Sequence, residues 1–516
     1  MQIIDNKALL LKVKNPNRIT TVIPKSKMLD SGEVLVKWGL EEAQVLKNLK
    51  IKNVPSPILA NYTFPGYYKP FEHQKATASF LTLHRRAFCF NEQGTGKTGS
   101  VIWACDYLMT IGAIKRVLVI CPLSIMQSAW QNDLFKFAMH RTTAIAHSYA
   151  KEKRIQAVNS GAEFVIVNYD GLNIIKDTII ENEFDLIVID EANAYKTVGT
   201  RRYKTLVQIL KPKTWLWMLT GTPASQSPTD AYGLAKLVNP TSIPKFFGAF
   251  RDTVMFKITQ FKWIPKPESE KIVHNALQPA IRFTKEECLD LPEMTYTSRH
   301  VPLTTQQEKY YELIRRDMLV VAAGEEITTV NAAANLNKLL QLSCGAVYSD
   351  TGEVVEFDAS NRINALKEVI EEASNKVLVF VPYRHAIHIV TQALQDAGIT
   401  AEIINGAVSA SKRTDIFARF QTEPNPKVLV IQPQAAAHGV TLTAANIVVW
   451  FSPITSVETY LQANARVHRA GQHNPCTVVH LQGSPVEKKM YKMLESKVDI
   501  HTKMIDLYKN ILEDEA

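Results

Sequence analysis

The chain has 516 residues, of which 46% are hydrophobic and 21% charged, the makeup of a water-soluble protein with several sizeable cores. Six cysteines without a C-x-x-C pair argue against a disulfide framework and a zinc site, and no apolar run approaches the roughly 18 residues that span a bilayer. Asp5 and Lys7 interrupt the apolar start, which makes a poor signal peptide, so a cytoplasmic protein is expected. The net charge of +9 is unevenly placed, since residues 1–69 hold eleven Lys/Arg against five Asp/Glu.

Taken in chain order, residues 1–66 read as a small basic accessory domain of strands and turns, with Lys12, Lys14, Arg18, Lys25 and Lys27 close together. That charge implies either a polyanion partner or a lysine-rich structural cap. Residues 67–240 then alternate short apolar runs with helical-length segments. In "FEHQ" (71–74), Gln74 is placed to read adenine through its paired donor and acceptor. "RRAFCF" reads as a buried strand, and "NEQGTGKT" (91–98) follows it as a phosphate-cradling loop with Asn91 where the general pattern asks for glycine. Gly94 and Gly96 let the loop turn tightly, so that the N–H groups around Thr95 face phosphate oxygens. Lys97 is suited to the β- and γ-phosphates and Thr98 to Mg²⁺. A helix follows.

The runs "RVLVICP" (116–122), "FVIVNYD" (164–170), "FDLIVID" (184–190) and "TWLWMLTGTP" (214–223) are apolar on both faces, as central parallel strands are. Asp190 and Glu191 stand at the end of the third run, where an open sheet presents side chains to its crevice. Asp190 is expected to hold Mg²⁺ and Glu191 to deprotonate the attacking water. Thr220 and Thr222 are expected to sense the state of that neighbouring site. Residues 241–360 read mainly as helix and loop, a helical insertion with Pro and Lys gathered in "KWIPKPESEK". From 361 to 516 a second α/β block returns, with "KVLVFVPY", "AEIINGAV", "KVLVIQP", "NIVVWFSP" and "CTVVHLQG" as its strands. Two such lobes imply a cleft, and only one carries a phosphate loop, so the other is expected to supply residues in trans.

The motif series "FEHQ", "GTGKT", "VICPLSIMQSAW", "DEAN", "LTGTP" and "QANARVHRAGQ" resembles that of the superfamily 2 helicases. More narrowly, "FTKEECLDLPEM", "NLNKLLQLSCGA", "INGAVSASKRTDIFARFQ" and "GSPVEKKMYKMLESK" resemble segments of Snf2-family DNA translocases, so that the likeness runs from about 67 to 505. The resemblance implies an α/β fold with two RecA-like parallel-sheet lobes in tandem and ATP with Mg²⁺ as the fuel. It also accounts for Asn91, because superfamily 2 loops commonly lack the first glycine. By the same resemblance, Arg466 and Arg469, three apart on one helix face, are the arginine fingers of hydrolysis, and Gln462 contacts the same phosphate or its water.

"AAAHGVTLTAAN" (435–446) stands where the family has a glycine-rich fifth motif, with Ala436 and Ala437 in place of paired glycines while Gly439, Thr441 and Thr443 remain. This version resembles the fork-remodelling, strand-annealing branch, in a compact bacterial or bacteriophage form. Gly439 is expected beside the nucleotide, and His438 in packing or backbone contact. The resemblance places DNA contacts at Ser124, Asn168, Tyr169, Tyr383, Arg384 and Thr441, directed to phosphate and sugar and hence to shape. The implied function is an ATP-dependent translocase or helicase on double-stranded DNA. It would remodel forks and recombination intermediates, including branch migration, in replication, recombination or repair, and act as a monomer. The alternatives are an RNA-directed helicase and an ATP-switched DNA clamp that does not translocate.

Overall fold

The computed structural model describes residues 1–496 apart from 222, 225–226, 260–262, 289–290, 325–328, 349–353 and 437–439. The chain divides into two compact units, Met1–Cys288 and Leu289–Ala516.

The first unit begins with a four-stranded antiparallel sheet in the order Gln2–Ile4, Ala8–Leu11, Val34–Lys37, Ser26–Met28. Alternation puts Leu9, Leu11, Val34 and Val36 into a small core with Ile19, Ile23, Trp38 and Leu46. Lys12, Lys14, Arg18, Lys25 and Lys27 all lie exposed outside it. This domain is fastened to the helix Glu72–Thr82: Gln44 donates to the Thr82 carbonyl at 3.0 Å, and the Ser56 and Thr82 hydroxyls meet at 2.7 Å.

The main sheet of the first unit has seven parallel strands, ordered Ala280–Ile281, Arg86–Cys89, Trp215–Leu219, Leu186–Asp190, Val117–Cys121, Phe164–Asn168, Thr143–Ile145. Its strands form because helices cover both faces, which rewards β-branched and aromatic residues at every position. The two faces feed separate cores. Leu118, Ile120, Ile187, Ile189, Leu216 and Met218 enter one, and Val117, Val119, Leu186, Val188, Trp215 and Trp217 the other.

The second unit repeats the plan with six parallel strands: Met294–His300, Cys476–Gln482, Ala445–Trp450, Lys376–Phe380, Val428–Ile431, Ala401–Ile404. Here too the faces separate, with Leu378, Phe380, Leu429 and Ile431 on one side and Val377, Val379, Val428 and Val430 on the other. The helix Pro485–Glu495 is pinned to the helix Ser360–Glu372 by a buried bidentate pair, Arg362 to Glu487 at 2.6 and 2.7 Å. Glu487 also closes the capping box of its own helix by accepting from the Ser484 N–H at 3.1 Å.

The expected insertion over 241–360 is not a body of its own. Its residues are shared between the units, and two strands from its middle each take an edge of one of the two sheets: Ala280–Ile281 pairs with Arg86–Cys89, and Met294–His300 pairs with Cys476–Gln482. Both are edge strands of two and seven residues, and Met294–His300 is mostly exposed, so neither carries the apolar run that marks the central strands. All six cysteines are free thiols. No helix of the described residues is long and apolar enough to cross a membrane.

Candidate active site

Parallel strands deliver their C-terminal ends to one edge, and in the first unit three neighbouring strands bring the chemistry there. Arg86–Cys89 leads into the phosphate loop, Leu186–Asp190 ends in the acidic pair, and Trp215–Leu219 lies between them and leads to Thr220 and Gly221. The Thr220 N–H reaches back to the Cys89 carbonyl at 3.1 Å, tying the third element to the first.

The loop is held from below by Asn91, which is fully buried. Its Nδ2 donates to Thr77 Oγ1 at 2.8 Å and its Oδ1 accepts from the Phe283 N–H at 3.1 Å, so one amide braces the loop against the helix Glu72–Thr82 and the segment beyond Ile281. A glycine here would remove both hydrogen bonds, leaving the Phe283 N–H without this acceptor and Thr77 Oγ1 with only its bond to the His73 carbonyl, which gives the departure from the general pattern a structural role. Lys97 Nζ folds over the loop and donates to the carbonyls of Asn91 at 2.7 Å and Glu92 at 3.2 Å. Gly94 and Gly96 take positive φ, +90° and +76°. At Gly96 a Cβ would also stand 2.1 Å from the Gln74 Nε2 and push that amide off the loop, which adds to the preference for glycine that the positive φ sets.

Gln74 is beside the loop, with both ends of its amide engaged in this structure. Its Oε1 accepts from the Phe71 N–H at 2.9 Å and its Nε2 donates to the Gly96 carbonyl at 3.3 Å. His73, the neighbour in the same motif, contacts the Thr95 carbonyl through Nε2 at 2.8 Å. Thr95 itself donates to the Glu92 carbonyl at 2.8 Å, and Thr98 lies in the first turn of the helix Lys97–Thr110.

Asp190 is buried, and burial raises its pKa; the Lys97 charge and two donated hydrogen bonds work against that rise. The donors are Trp130 Nε1 to Oδ2 at 2.9 Å and the Glu191 N–H to Oδ1 at 3.0 Å. Trp130, the last residue of "VICPLSIMQSAW", comes from a single wide turn, Met126–Gln131. Glu191 has φ +52° and ψ +58°, a left-handed conformation that a non-glycine residue holds only when its surroundings insist. Gln93 Nε2 donates to Glu191 Oε1 at 3.2 Å. A Cβ on Gly221 would stand 3.3 Å from the Gln93 Cγ, so the "LTGTP" glycine packs on the same side chain.

Tyr169 supplies the rest of that insistence. Its hydroxyl sits between the carbonyls of Asp190 and Glu191, the latter at 3.2 Å, and burial raises its pKa far above the ordinary phenol value. Arg202 stacks on its ring at 4.8 Å and Tyr195 meets its edge at 5.8 Å. The residue expected at DNA therefore spends its polar end on the acidic turn, while half-buried Asn168 precedes it at the end of its strand. Ser124 belongs to the short turn Leu123–Ile125, and its side chain lies outside the described residues. Thr222 lies outside them too.

In the second unit Arg466 and Arg469 do not share a helix face, because the helix Val457–Asn464 ends before them. They meet nonetheless, both donating through Nη1 to the Val440 carbonyl, at 3.4 and 3.0 Å. Gln472 shapes their turn. Its Nε2 donates to the Ala445 and Val467 carbonyls at 2.9 and 3.1 Å, and its Oε1 accepts from the N–H groups of His473 and Asn474, each at 3.0 Å. Gln462 is buried and donates to Glu458 Oε1 at 3.2 Å. Thr441 is exposed next to Val440, whereas Gly439 and His438 lie outside the described residues. The Tyr383 hydroxyl turns inward to Asn337 Oδ1 at 2.8 Å, and Arg384 is exposed at the start of the helix Arg384–Asp396.

The first unit assembles a phosphate loop, a lysine and an acidic strand end by hydrogen bonds, and the second carries two arginines on the turn after the helix Val457–Asn464, the kinds of part that a helicase-type core carries. The chain belongs to the Snf2 family: a SNF2-related domain matches residues 66–345, and a helicase conserved C-terminal domain matches 361–471. It is similar to an uncharacterized ATP-dependent helicase of Mycoplasma genitalium, 25% identical over 82% of this chain and 41% of that protein. It is equally similar to the putative protein p41 of Acyrthosiphon pisum secondary endosymbiont phage 1, 25% identical over 80% of this chain and 93% of the phage protein. The chain spans less than half of the first curated relatives it matches, 41% of the Mycoplasma protein and 47% of the mouse chromodomain-helicase-DNA-binding protein 1-like. Among solved structures, the Sulfolobus solfataricus SWI2/SNF2 ATPase core in complex with dsDNA is 24% identical, covers 87% of this chain and 95% of its own, and superposes with a TM-score of 0.42.

Proposed function

We propose that this chain is an ATP-driven translocase on double-stranded DNA that remodels branched DNA such as forks and recombination intermediates. The observation that supports it most is the acidic turn. Glu191 is held in a left-handed backbone by Tyr169 and touched by Gln93 of the phosphate loop, so the carboxylate suited to activate water is fixed beside the loop suited to hold phosphate. Lys97 neutralises the β- and γ-phosphates, and the N–H groups from Gly94 to Gly96 cradle them. Thr98 and Asp190 offer a hydroxyl and a buried carboxylate, hard oxygen donors that suit Mg²⁺. A cation there also relieves the burial cost that raises the Asp190 pKa. Arg466 and Arg469 supply positive charge for the transition state, and Gln462 supports them.

Asn168, Arg384 and Thr441, with Ser124, contact the phosphate and sugar of the DNA. The exposed cations of the N-terminal sheet add a salt-sensitive contribution. The test is ATP hydrolysis and strand displacement measured on single-stranded, duplex, forked and four-way-junction DNA, with RNA alongside and with triplex displacement as the readout of movement. Stimulation by duplex and greatest remodelling on branched DNA is the expected result. Stimulation by RNA alone, or hydrolysis without triplex displacement, would instead select an RNA helicase or an ATP-switched clamp.

A further inference from the structure

The first unit carries a hairpin that the nucleotide site does not use. Met255–Lys257 and Trp263–Pro265 form a two-stranded antiparallel sheet that pairs with no other strand among the described residues. Its root is firm. The helix Phe247–Val254 just before it buries Phe250 and Val254, Phe247 packs edge-on against Tyr232 at 5.4 Å, and the Lys266 N–H closes the base on the Val254 carbonyl at 2.9 Å.

The register decides what the hairpin shows. Phe256 stands opposite Ile264, so these two share a face, and Lys257 and Trp263 share the other. On the second face Arg251 covers the Trp263 ring at 3.9 Å. The first face is open: Phe256 is 47% exposed, Ile264 40%, and Ile258 next to the strand 55%. A cation borders it: Lys266 Nζ lies 5.1 Å from the Phe256 ring. Residues 245–266 contain five Lys/Arg against a single acid, Asp252.

An apolar face left in water on a firmly rooted hairpin calls for a partner. The surplus of cations requires that partner to be an anion, and the ring and branched side chains require it to offer flat apolar surface. Duplex DNA meets the first demand but keeps its base faces stacked; unpaired DNA meets both. We propose that this hairpin is a further nucleic-acid contact, taking unpaired bases of a branched DNA on its Phe256–Ile264 face while Lys266, beside the Phe256 ring, holds a flanking phosphate. The proposal rests on the reading of the chain as a motor on branched DNA, and it assigns the hairpin to the single-stranded part of the junction.

The experiment uses the full chain and two probes, a blunt duplex and the same duplex bearing unpaired thymine arms. Phe256→Ala combined with Ile264→Thr should bind the forked probe about tenfold more weakly, the loss expected from one stacked base. Binding to the blunt duplex and duplex-stimulated hydrolysis should stay as in the parent. Phe256→Trp, which keeps a ring, should retain the preference for the fork. Independently of any variant, photocrosslinking from 5-iodouracil in the unpaired arm should mark the peptide that contains Phe256. An unchanged fork preference, an equal loss on both probes, crosslinks confined to other peptides, or a change of oligomeric state in the variant would each overturn the proposal. The last would make the face an interface between copies. If no DNA stimulates hydrolysis by the parent, the motor reading fails, while the crosslink still reports on the hairpin.

Discussion

Replacing Tyr169 by phenylalanine removes a single oxygen, the one that holds the carbonyls of Asp190 and Glu191. A net loss of about 1–2 kcal/mol is expected for this buried hydrogen bond, since the Asp190 carbonyl loses its donor while the Glu191 carbonyl keeps the Ala194 N–H at 3.2 Å. The left-handed backbone of Glu191 costs about 1–3 kcal/mol on its own, so the hold and the strain are of similar size. With the hold gone, the turn spends most of its time relaxed, and the carboxylate leaves the position from which it activates water. Since about 1.4 kcal/mol corresponds to tenfold in rate, kcat should fall about five- to thirtyfold. Nucleotide affinity should not change, because Lys97 and the loop carbonyls it binds are untouched. DNA-stimulated steady-state hydrolysis would supply kcat, and titration with a fluorescent ATP analogue would supply affinity. A kcat within about twofold of the parent would refute the reasoning, as would a parallel loss of affinity, which would place Tyr169 in binding instead.

Lys97→Ala should abolish nucleotide binding, whereas Glu191→Gln should bind ATP normally and turn it over at least about a hundredfold more slowly, as read by the same two assays. At least one of Arg466→Ala and Arg469→Ala should cut kcat by about three orders of magnitude with DNA affinity nearly unchanged; loss of DNA binding with normal hydrolysis in both would place the pair at nucleic acid. Burial alone would lower the pKa of Arg362, and Glu487 more than offsets it, so the guanidinium stays charged. Glu487→Gln should therefore destabilise the second unit by about 3–5 kcal/mol in urea unfolding, by leaving a buried charge with a neutral partner. Burial, joined at His84 by the charge of Lys47, holds His84 and His480 at about 4. Below about pH 6.5 the unfolded chain takes up protons that the folded chain refuses, so stability should fall from there to about pH 4, by about 3 kcal/mol for each histidine. His480→Gln should flatten that acid limb in urea midpoints measured from pH 7 to pH 4.

The sequence by itself determined the central strands and the phosphate loop. A strand covered on both faces must be apolar throughout, and "LIVID" and "VLVIC" are buried at every position. A loop that wraps phosphate needs glycines at fixed spacing, and Gly94 and Gly96 hold the positive φ that spacing implies. Both signals are local. The tertiary structure alone decided the rest. The edge strands Ala280–Ile281 and Met294–His300 carry no long apolar run, one having only two residues and the other being mostly exposed. Arg466 and Arg469 converge on the Val440 carbonyl from a turn shaped by Gln472, although their spacing suggested a helix face. Trp130 finds Asp190 across 60 residues, and Gln93 finds Glu191 across 98. Tyr169, which family resemblance placed at DNA, turns its hydroxyl inward to the carbonyls of Asp190 and Glu191, at the end of a strand one removed from the one it follows. Such pairings depend on which strand ends the sheet order brings side by side, and no periodicity within a single segment records that order.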